Sequence, residues 1–204
     1  MHTSKMTKSS LRRGNIMSIS PKKTRVMTIA HGKSEYIICR SIKSNLRIKH
    51  EIYAEKKGEK SIQINGLMNV LKNEIFKSYN SFIRYYPDIE HKKSKLIDFN
   101  LFIIMDLDDC NKEMQEKFKS KEMFKKHWLF DYIVPIYNNP NLENTMSDAG
   151  ISVDRKRDYI KVFPTNHGDL DLLTARDFCE SLKKCKSSNL WEYVEYCISL
   201  ATEQ

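Results

Sequence analysis

An uninterrupted apolar run that ends in carboxylates constrains this chain more than any other feature. Residues 101–105 are too few for a helix of ordinary length and are typical of a strand buried on both faces inside a parallel sheet. Asp106, Asp108 and Asp109 follow it directly. If the extended geometry continues past the strand, alternation places Asp106 and Asp108 on one face.

Two carboxylates on one face need a counterion. At about 5–6 Å and an effective dielectric of about 20 they repel by about 3 kcal/mol, and a divalent cation relieves that repulsion. All-oxygen ligation with several retained waters is what Mg²⁺ or Mn²⁺ prefers. The alternative is that the aspartates only solubilise the strand end and cap the following helix.

Strand and helix patterns alternate along the chain. Strands are predicted over 24–30, 50–54, 101–105, 132–137 and 159–163, and helices over 33–48, 61–76 and 112–127, with Ser34 as the cap of the first helix and a polar connection over 77–97. Residues 165–204 are predicted to be helical. This order predicts an α/β fold whose mostly parallel sheet has four to five strands, flanked by helices.

Three predicted strand ends carry polar residues. His31 and Gly32 follow the first strand, Asp106 and Asp108 follow the third, and Glu143 follows the fourth. Ligands of open parallel sheets bind beyond the carboxyl ends of the strands. The sequence therefore predicts a functional site at this edge.

Net charge and cysteine content bear on the partners of the protein and on its cellular compartment. The formal net charge is +9, but seven of these charges lie in residues 1–25, which hold no acid, and the remaining residues are nearly neutral, with 28 basic against 26 acidic. Charge alone leaves nucleic-acid binding open. Five cysteines without a C-x-x-C pair, and an N-terminus without an apolar signal region, favour a reducing, cytoplasmic setting. No apolar run approaches the ~18 residues of a membrane span.

The motif H-G-K-S, from His31 to Ser34, follows a strand and opens a helix, as a P-loop does. The full P-loop pattern requires glycine at the position of Met27. A nucleotide P-loop is therefore disfavoured. The helix N-terminus at Gly32, Lys33 and Ser34 still presents N–H groups that can bind a phosphate.

The same elements together resemble the Toprim fold, the acidic phosphodiester-chemistry domain of topoisomerases, primases and certain nucleases. The matching motifs are H-G-K-S-E after the first strand, D-L-D-D at 106–109 and N-N-P-N-L-E at 138–143. They are most similar to RloB-like and OLD-family-like proteins of bacterial phage-defence loci, whose first strand ends in E-G-x-S/T-E. The order of the motifs on strand ends, rather than any one of them, carries the resemblance.

The resemblance implies a role for each matched residue. Asp106 and Asp108 match the D-x-D metal ligands, Glu143 matches the acid of the N-P-x-x-E turn, and Glu35 matches the second glutamate of E-G-x-S/T-E. The first, catalytic glutamate is replaced by His31. An imidazole is a poor ligand for Mg²⁺, but it can act as a general acid or base or bind a softer ion such as Mn²⁺.

Two hypotheses of different classes follow. The first is a metal-dependent Toprim nuclease, or nuclease-like subunit, that cleaves DNA or RNA in antiviral defence, using Mg²⁺ or Mn²⁺, with His31, Glu35 and Asp106 as catalytic residues. Nucleic acid, a partner such as an ATPase or another defence subunit, and a second copy of the chain are the partners it implies. The second is a catalytically inactive Toprim module that binds or senses. A small-molecule phosphohydrolase ranks last, because the extra metal ligands it needs are missing.

The predicted organisation has three parts. Residues 1–22 are a disordered basic tail, because they are polar, basic and without helix or strand periodicity. Residues 23–145 form the Toprim-like domain, and residues 146–204 form a strand and a helical extension packed on the same core.

Overall fold

Strands and helices alternate along the chain. The computed structural model describes residues 23–153, 155–162 and 172–203, so the predicted basic tail at 1–22 lies outside the described residues. The strands of the described residues are β1 (Val26–Ala30), β2 (His50–Tyr53), β3 (His91–Lys92), β4 (Lys95–Leu96), β5 (Asn100–Asp106) and β6 (Ile133–Asn138). The α-helices of this part are α1 (Lys33–Asn45), α2 (Leu67–Leu71), α3 (Tyr79–Tyr85), α4 (Lys112–Lys119), α5 (Leu142–Asp148), α6 (Leu172–Lys183) and α7 (Leu190–Thr202).

Four of these strands form one parallel sheet in the order β2-β1-β5-β6. The two central strands, β1 and β5, are almost entirely buried, as expected for strands covered on both faces. Ala30 pairs with Ile104, and Asp106 pairs with Asn138. The carboxyl ends of β1, β5 and β6 therefore meet at one edge, while β3 and β4 form a separate small hairpin.

Two apolar layers cover the sheet. Alternate residues of one strand point to opposite faces. Thus Phe102 and Ile104 join the layer built with α1, α5, α6 and α7, whereas Leu101, Ile103 and Met105 join the layer built with α2 and α3. The predicted α/β fold with a mostly parallel, helix-flanked sheet is confirmed.

The predicted strand at 159–163 is wrong. Lys156–Lys161 is a 3₁₀ helix, and Phe163 lies outside the described residues. This segment packs on helix α1, where Ser41 Oγ donates a hydrogen bond to the Ile160 carbonyl at 3.0 Å. Because it lies on a helix rather than beside an edge strand, its backbone has no ladder to join.

The helix predicted over 61–76 is much shorter. A 3₁₀ turn at Ile64–Gly66 leads into α2, which ends at Leu71. Asn73 Oδ1 accepts hydrogen bonds from the backbone N–H groups of Ile75 and Phe76, at 2.8 and 3.1 Å. This local side-chain bonding competes with the helical ladder and ends it.

Two further predictions need correction. The helix predicted over 112–127 ends at Lys119, because Lys121 adopts a left-handed φ of 63° before a 3₁₀ turn at Glu122–Phe124. The polar connection predicted over 77–97 contains α3 and the β3–β4 hairpin. Helix α3 is held by Phe82, which is fully buried in an aromatic cluster.

Helix α5 runs across residue 145, where the sequence analysis separates two regions. Its Leu142 and Met146 belong to the same apolar layer as Leu182 of α6 and Val194 of α7. The helices after residue 146 therefore cover the sheet face that α1 also covers.

A histidine is buried beside this layer. His50 is fully buried, its Nε2 lies 2.7 Å from Thr28 Oγ1, and its ring packs 5.8 Å from the Tyr193 ring. Burial, reinforced by Lys43, lowers the pKa of His50 to about 3. Folding therefore excludes a proton that the unfolded chain binds below its ordinary pKa of about 6.5.

We predict that His50 makes the protein acid-sensitive. Its contribution to stability is complete above pH ~6.5 and falls by about 1.4 kcal/mol per pH unit between ~6.5 and ~3. Urea unfolding at pH 7.5 and pH 5.5 measures this loss, with His50→Gln as the non-titrating control. Parallel pH profiles for the wild type and the variant would show that His50 does not titrate as described.

Candidate functional site

The buried carboxylate Asp106 is the centre of the candidate site. It ends β5, is 6% exposed, and lies opposite Asn138 at the end of β6. Its Oδ1 accepts hydrogen bonds from Asn138 Nδ2 at 3.2 Å and from the Leu142 backbone N–H at 3.0 Å. The two donors lie at the end of β6 and at the start of α5, so the packing of these two elements fixes the orientation of Asp106.

Electrostatics at Asp106 favour a bound proton or cation. Burial, and next the negative charge of Glu35, raise the pKa of Asp106 to about 7. His31 and the hydrogen bond from Asn138 act in the opposite direction, and Asp108 adds to the rise. Glu35 and Asp108 therefore act electrostatically on Asp106, whereas Glu143 is not among the groups that shift its pKa. The predicted convergence of these acids on one cation stays a prediction.

The turn between β1 and α1 fixes the positions of two predicted residues, Ser34 and Glu35. The prediction that Ser34 caps the first helix is wrong, because helix α1 begins at Lys33 and its N-cap is Gly32. The Gly32 N–H donates to Glu35 Oε2 at 2.9 Å, so Glu35, 2% exposed, satisfies the first free amide of the helix. Ser34 Oγ instead donates to Glu143 Oε1 at 3.1 Å and links α1 to α5.

The segment 55–62 packs against this turn. His31 Nδ1 lies 2.9 Å from the Ile62 carbonyl, and the Ile62 N–H donates to the His31 carbonyl at 2.8 Å. Because a carbonyl only accepts, Nδ1 must carry the hydrogen, which leaves Nε2 as the nitrogen able to accept a proton or bind a metal. Lys33 Nζ pairs with Glu59 rather than lying free.

A glycine in this segment fits closely against the turn. Gly58 has a φ of +87°, and a Cβ there would lie 2.8 Å from the Gly32 carbonyl oxygen and 2.8 Å from Lys33 Cα. The Gly32 N–H is already bonded to Glu35, and Gly58 packs against the backbone of the turn. Of the phosphate contacts predicted at Gly32 and Lys33, the exposed ammonium of Lys33 is the one that stays accessible. That phosphate-binding role stays a prediction.

Asp108 lies beyond the end of the strand. Strand β5 ends at Asp106, so the condition for placing both aspartates on one extended face is not met. Leu107 is buried between them, and its N–H donates to the carbonyls of Asn138 and Pro140. Asp108 is exposed and accepts a hydrogen bond from Asn141 Nδ2 at 3.2 Å.

Sequence reasoning missed Tyr159, which lies at the site. The residue is 1% exposed, and within the described residues its hydroxyl has no hydrogen-bond partner. Burial, followed by the charges of Glu143, Glu35 and Asp106, raises the pKa of Tyr159 above its ordinary value. The ring also lines a cavity of about 310 Å³ with Glu143. No signal in the sequence indicates this, because it depends on docking of the 3₁₀ helix on α1.

The donors present suit a hard divalent cation in type. Carboxylate oxygens of Asp106, Asp108 and Glu143 are of the kind that Mg²⁺ and Mn²⁺ prefer, and both hydrogen bonds to Asp106 go to Oδ1. Over residues 23–153, 155–162 and 172–203, no group of three His, Cys, Asp or Glu side chains is arranged to hold a metal ion. Mg²⁺ is commonly bound by one or two carboxylates plus substrate phosphates and water, so these residues match such a site in the type of donor.

The fold and site together define an α/β protein with a buried carboxylate at the carboxyl edge of a parallel sheet. The chain matches no protein-family model, no curated protein and no solved structure. In the part of the chain that the structure describes, no helix is long and apolar enough to cross a membrane.

We predict that Asp106→Asn stabilises the protein in the absence of metal at alkaline pH. The raised pKa means that folding favours the protonated carboxyl, so the stability it supports is lost as the pH rises through about 7. Asparagine keeps an acceptor for Asn138 and Leu142 without the charge. The free energy of unfolding at pH 8.5 should rise by roughly 1 kcal/mol or more, and the rise at pH 5 should be clearly smaller, because the penalty develops between the unfolded-state pKa of about 4 and the folded-state pKa of about 7. A loss of stability at both values would contradict the description of Asp106.

Proposed function

We propose that the chain is a Toprim-like, metal-dependent nuclease, or a nuclease-like subunit, that acts on phosphodiester bonds of DNA or RNA. The observation that supports this most is the position of Asp106. It is a buried carboxylate at the end of a central parallel strand, beside Glu35 and Asp108, at the edge where open sheets bind their ligands. The Toprim-like order of motifs on the ends of β1, β5 and β6 adds to it.

Mg²⁺ or Mn²⁺ is the cofactor of this proposal. Asp106 and Asp108 would hold it, with Glu143 as a further ligand and with phosphate oxygens and water completing its coordination. The bound ion would polarise the scissile phosphate and offset the charge that develops on it. Glu143 already lies in the first turn of α5, one residue after the amide that orients Asp106.

Residues of the β1–α1 turn have roles that follow from their contacts. His31 Nε2 is the group proposed to exchange a proton with the substrate, because Nδ1 is committed to Ile62. Glu35 is proposed to position the turn and set the charge at Asp106, since its carboxylate accepts the Gly32 N–H. Lys33 is proposed to contact a phosphate, because an exposed ion pair with Glu59 contributes little and exchanges readily.

The biological setting of the proposal rests on the resemblance alone. An antiviral role, a partner such as an ATPase or another defence subunit, and self-association are carried by the similarity to RloB-like and OLD-family-like proteins. Nucleic acid is the partner that the chemistry of the site supports.

The second candidate is a catalytically inactive Toprim-like module that binds nucleic acid or a partner protein. The observation that favours it is His31, which stands where the resembling proteins carry a catalytic glutamate and is hydrogen-bonded to Ile62. An imidazole bonded in this way offers one nitrogen and no anionic oxygen to a metal.

We predict that Asp106→Ala abolishes nucleic-acid cleavage. Loss of the central carboxylate should lower the rate on supercoiled DNA or tRNA by at least ~100-fold in Mg²⁺ or Mn²⁺, because charge stabilisation at the scissile group is removed. Asp177→Ala, which removes an exposed acid on α6, is the matched control and should cleave normally.

Thermal unfolding tests metal binding by the Asp106→Ala variant independently of its activity. Mn²⁺ should raise the Tm of the wild type and of Asp177→Ala but not that of Asp106→Ala, since a ligand that binds only the folded state stabilises it. Cleavage by Asp106→Ala at the wild-type rate, with an unchanged Mn²⁺ shift, would show that the site is misassigned.

We predict that His31→Glu shifts the metal preference toward Mg²⁺. An added carboxylate supplies the hard oxygen that the imidazole lacks, so cleavage in Mg²⁺ should rise about tenfold or more. His31→Gln has no charge and serves as the control. Absence of cleavage in the wild type and in His31→Glu, with nucleic-acid binding retained, would favour the binding module instead.

A further inference from the structure

Helix α1 carries a basic stripe on its exposed side. Tyr36, Arg40 and Lys43 follow one another at spacings of four and three residues, which places them on one face of the helix. Arg47 lies just beyond the helix and lines the same groove. Ile38 and Ile42 point the other way, into the apolar layer. Arg40 and Arg47 are exposed, and Lys43 is half-buried.

This stripe forms one wall of a groove. The opposite wall is β2, which among the described strands pairs with β1 alone and is therefore an edge strand of that sheet. The groove has a volume of about 620 Å³ and is also lined by Ser44 and by Glu51 and Ile52 of β2. Of its charged lining residues, three are basic and Glu51 is acidic.

The basic side chains of the groove outnumber its one acid, Glu51, among the described residues. Within the described residues, Arg40, Lys43 and Arg47 form no ion pair, whereas surface lysines elsewhere, such as Lys117 and Lys183, pair with glutamates. The Arg40 guanidinium lies over the Tyr36 ring, 5.7 Å from its centroid. Unpaired cations beside an aromatic ring are the combination that nucleic-acid grooves use.

The helix that lines the groove begins at the candidate site. Helix α1 starts at Lys33, and Ser34, which bonds Glu143, lies two residues before Tyr36. From Tyr36 to Lys43, both within the helix, the rise amounts to roughly 10 Å. That length corresponds to about three steps of about 3.4 Å along the axis of a duplex, so the cations of the stripe can reach phosphates of one strand.

We propose that this groove binds the sugar-phosphate backbone of a nucleic-acid strand that leaves the carboxylate site, with Arg40, Lys43 and Arg47 contacting successive phosphates and Tyr36 contacting a base or sugar. The inference deepens the proposed function and depends on it for the choice of ligand. It adds the direction in which the bound strand runs, along α1 and away from Asp106.

The test is a salt titration of binding in EDTA, which keeps cleavage out of the measurement. Fluorescence anisotropy compares the wild type with Arg40→Gln/Lys43→Gln/Arg47→Gln on a short DNA strand, its duplex and an RNA of the same sequence. The triple variant should raise the Kd about tenfold or more and reduce the slope of log Kd against log salt by about 3 for duplex and about 2 for single strands. Tyr36→Ala should weaken single-strand binding about fivefold or more while sparing the duplex.

A matched triple variant separates local contacts from net charge. Lys72→Gln/Lys95→Gln/Lys126→Gln removes the same charge from exposed positions on segments that cover the other sheet face, and it should keep most of the affinity and slope. An equal loss in both triple variants, an unchanged slope in the groove variant, or groove-dependent binding of anionic vesicles without binding of any oligonucleotide would each overturn the proposal. Tyr36 and Lys43 are half-buried and the other substituted residues are exposed, so unfolding curves that match the wild type are required of every variant.

Failure of the groove and failure of the proposed nuclease are distinguishable. If the groove variant loses binding while Asp106→Ala cleaves normally, the groove is supported and the metal site is misassigned. If Asp106→Ala is inactive while the groove variant binds as the wild type does, the site is supported and the groove is not.

Discussion

The parallel pairing of β5 with β1 and β6 determines where every polar group of the candidate site lies. Strand β5 is held by backbone hydrogen bonds on both sides and by apolar layers on both faces, so its carboxyl end is fixed in the centre of the sheet edge. Asp106 is the last residue of that strand, and the register places Asn138 opposite it. The two hydrogen bonds to Oδ1 then fix the orientation of this carboxylate. An exposed aspartate without such bonds would have no fixed orientation. A site built on strand ends is therefore as rigid as the sheet itself.

Holding Asp106 in this position opposes folding electrostatically. A buried carboxylate beside Glu35 is disfavoured in its charged form, and the neutral hydrogen bonds to Oδ1 offset only part of this penalty. Such an arrangement is understandable if a cation is bound when the protein works, because the same concentration of negative charge that destabilises the metal-free protein strengthens metal binding. The proposed metal site and the raised pKa of Asp106 thus follow from the same arrangement, a buried carboxylate beside the charge of Glu35.

The sequence predicted features set by local patterns and missed features set by tertiary contacts. The length of the apolar run at 101–105 was enough to predict a buried central strand, and the aspartates after it were placed correctly at its carboxyl end. The early end of α2 depends on one amide side chain, that of Asn73, whose Oδ1 accepts from the N–H groups of the residues that follow it, and helix propensity does not reveal this. The bond between Ser34 and Glu143 joins residues 109 apart, and Tyr159 reaches the site only because its segment docks on α1. The exposed stripe on α1 follows from helical period, but its position beside an edge strand depends on the strand order.

Charge is separated along α1 in a way that bears on both proposals. Acids cluster at the N-terminal end of the helix, around Asp106, while the unpaired cations line the groove that runs toward its C-terminal end. A polyanion approaching the acidic edge alone would be repelled unless a metal ion were bound there. The groove supplies an attractive contact that does not depend on the metal, so binding of a strand and chemistry upon it are separable steps in this arrangement. Attraction by the groove is electrostatic and weakens as salt screens it, whereas the coupling between Asp106 and Glu35 is buried and is screened much less. Ionic strength should therefore act mainly on capture of the strand, and metal and pH mainly on the step at Asp106.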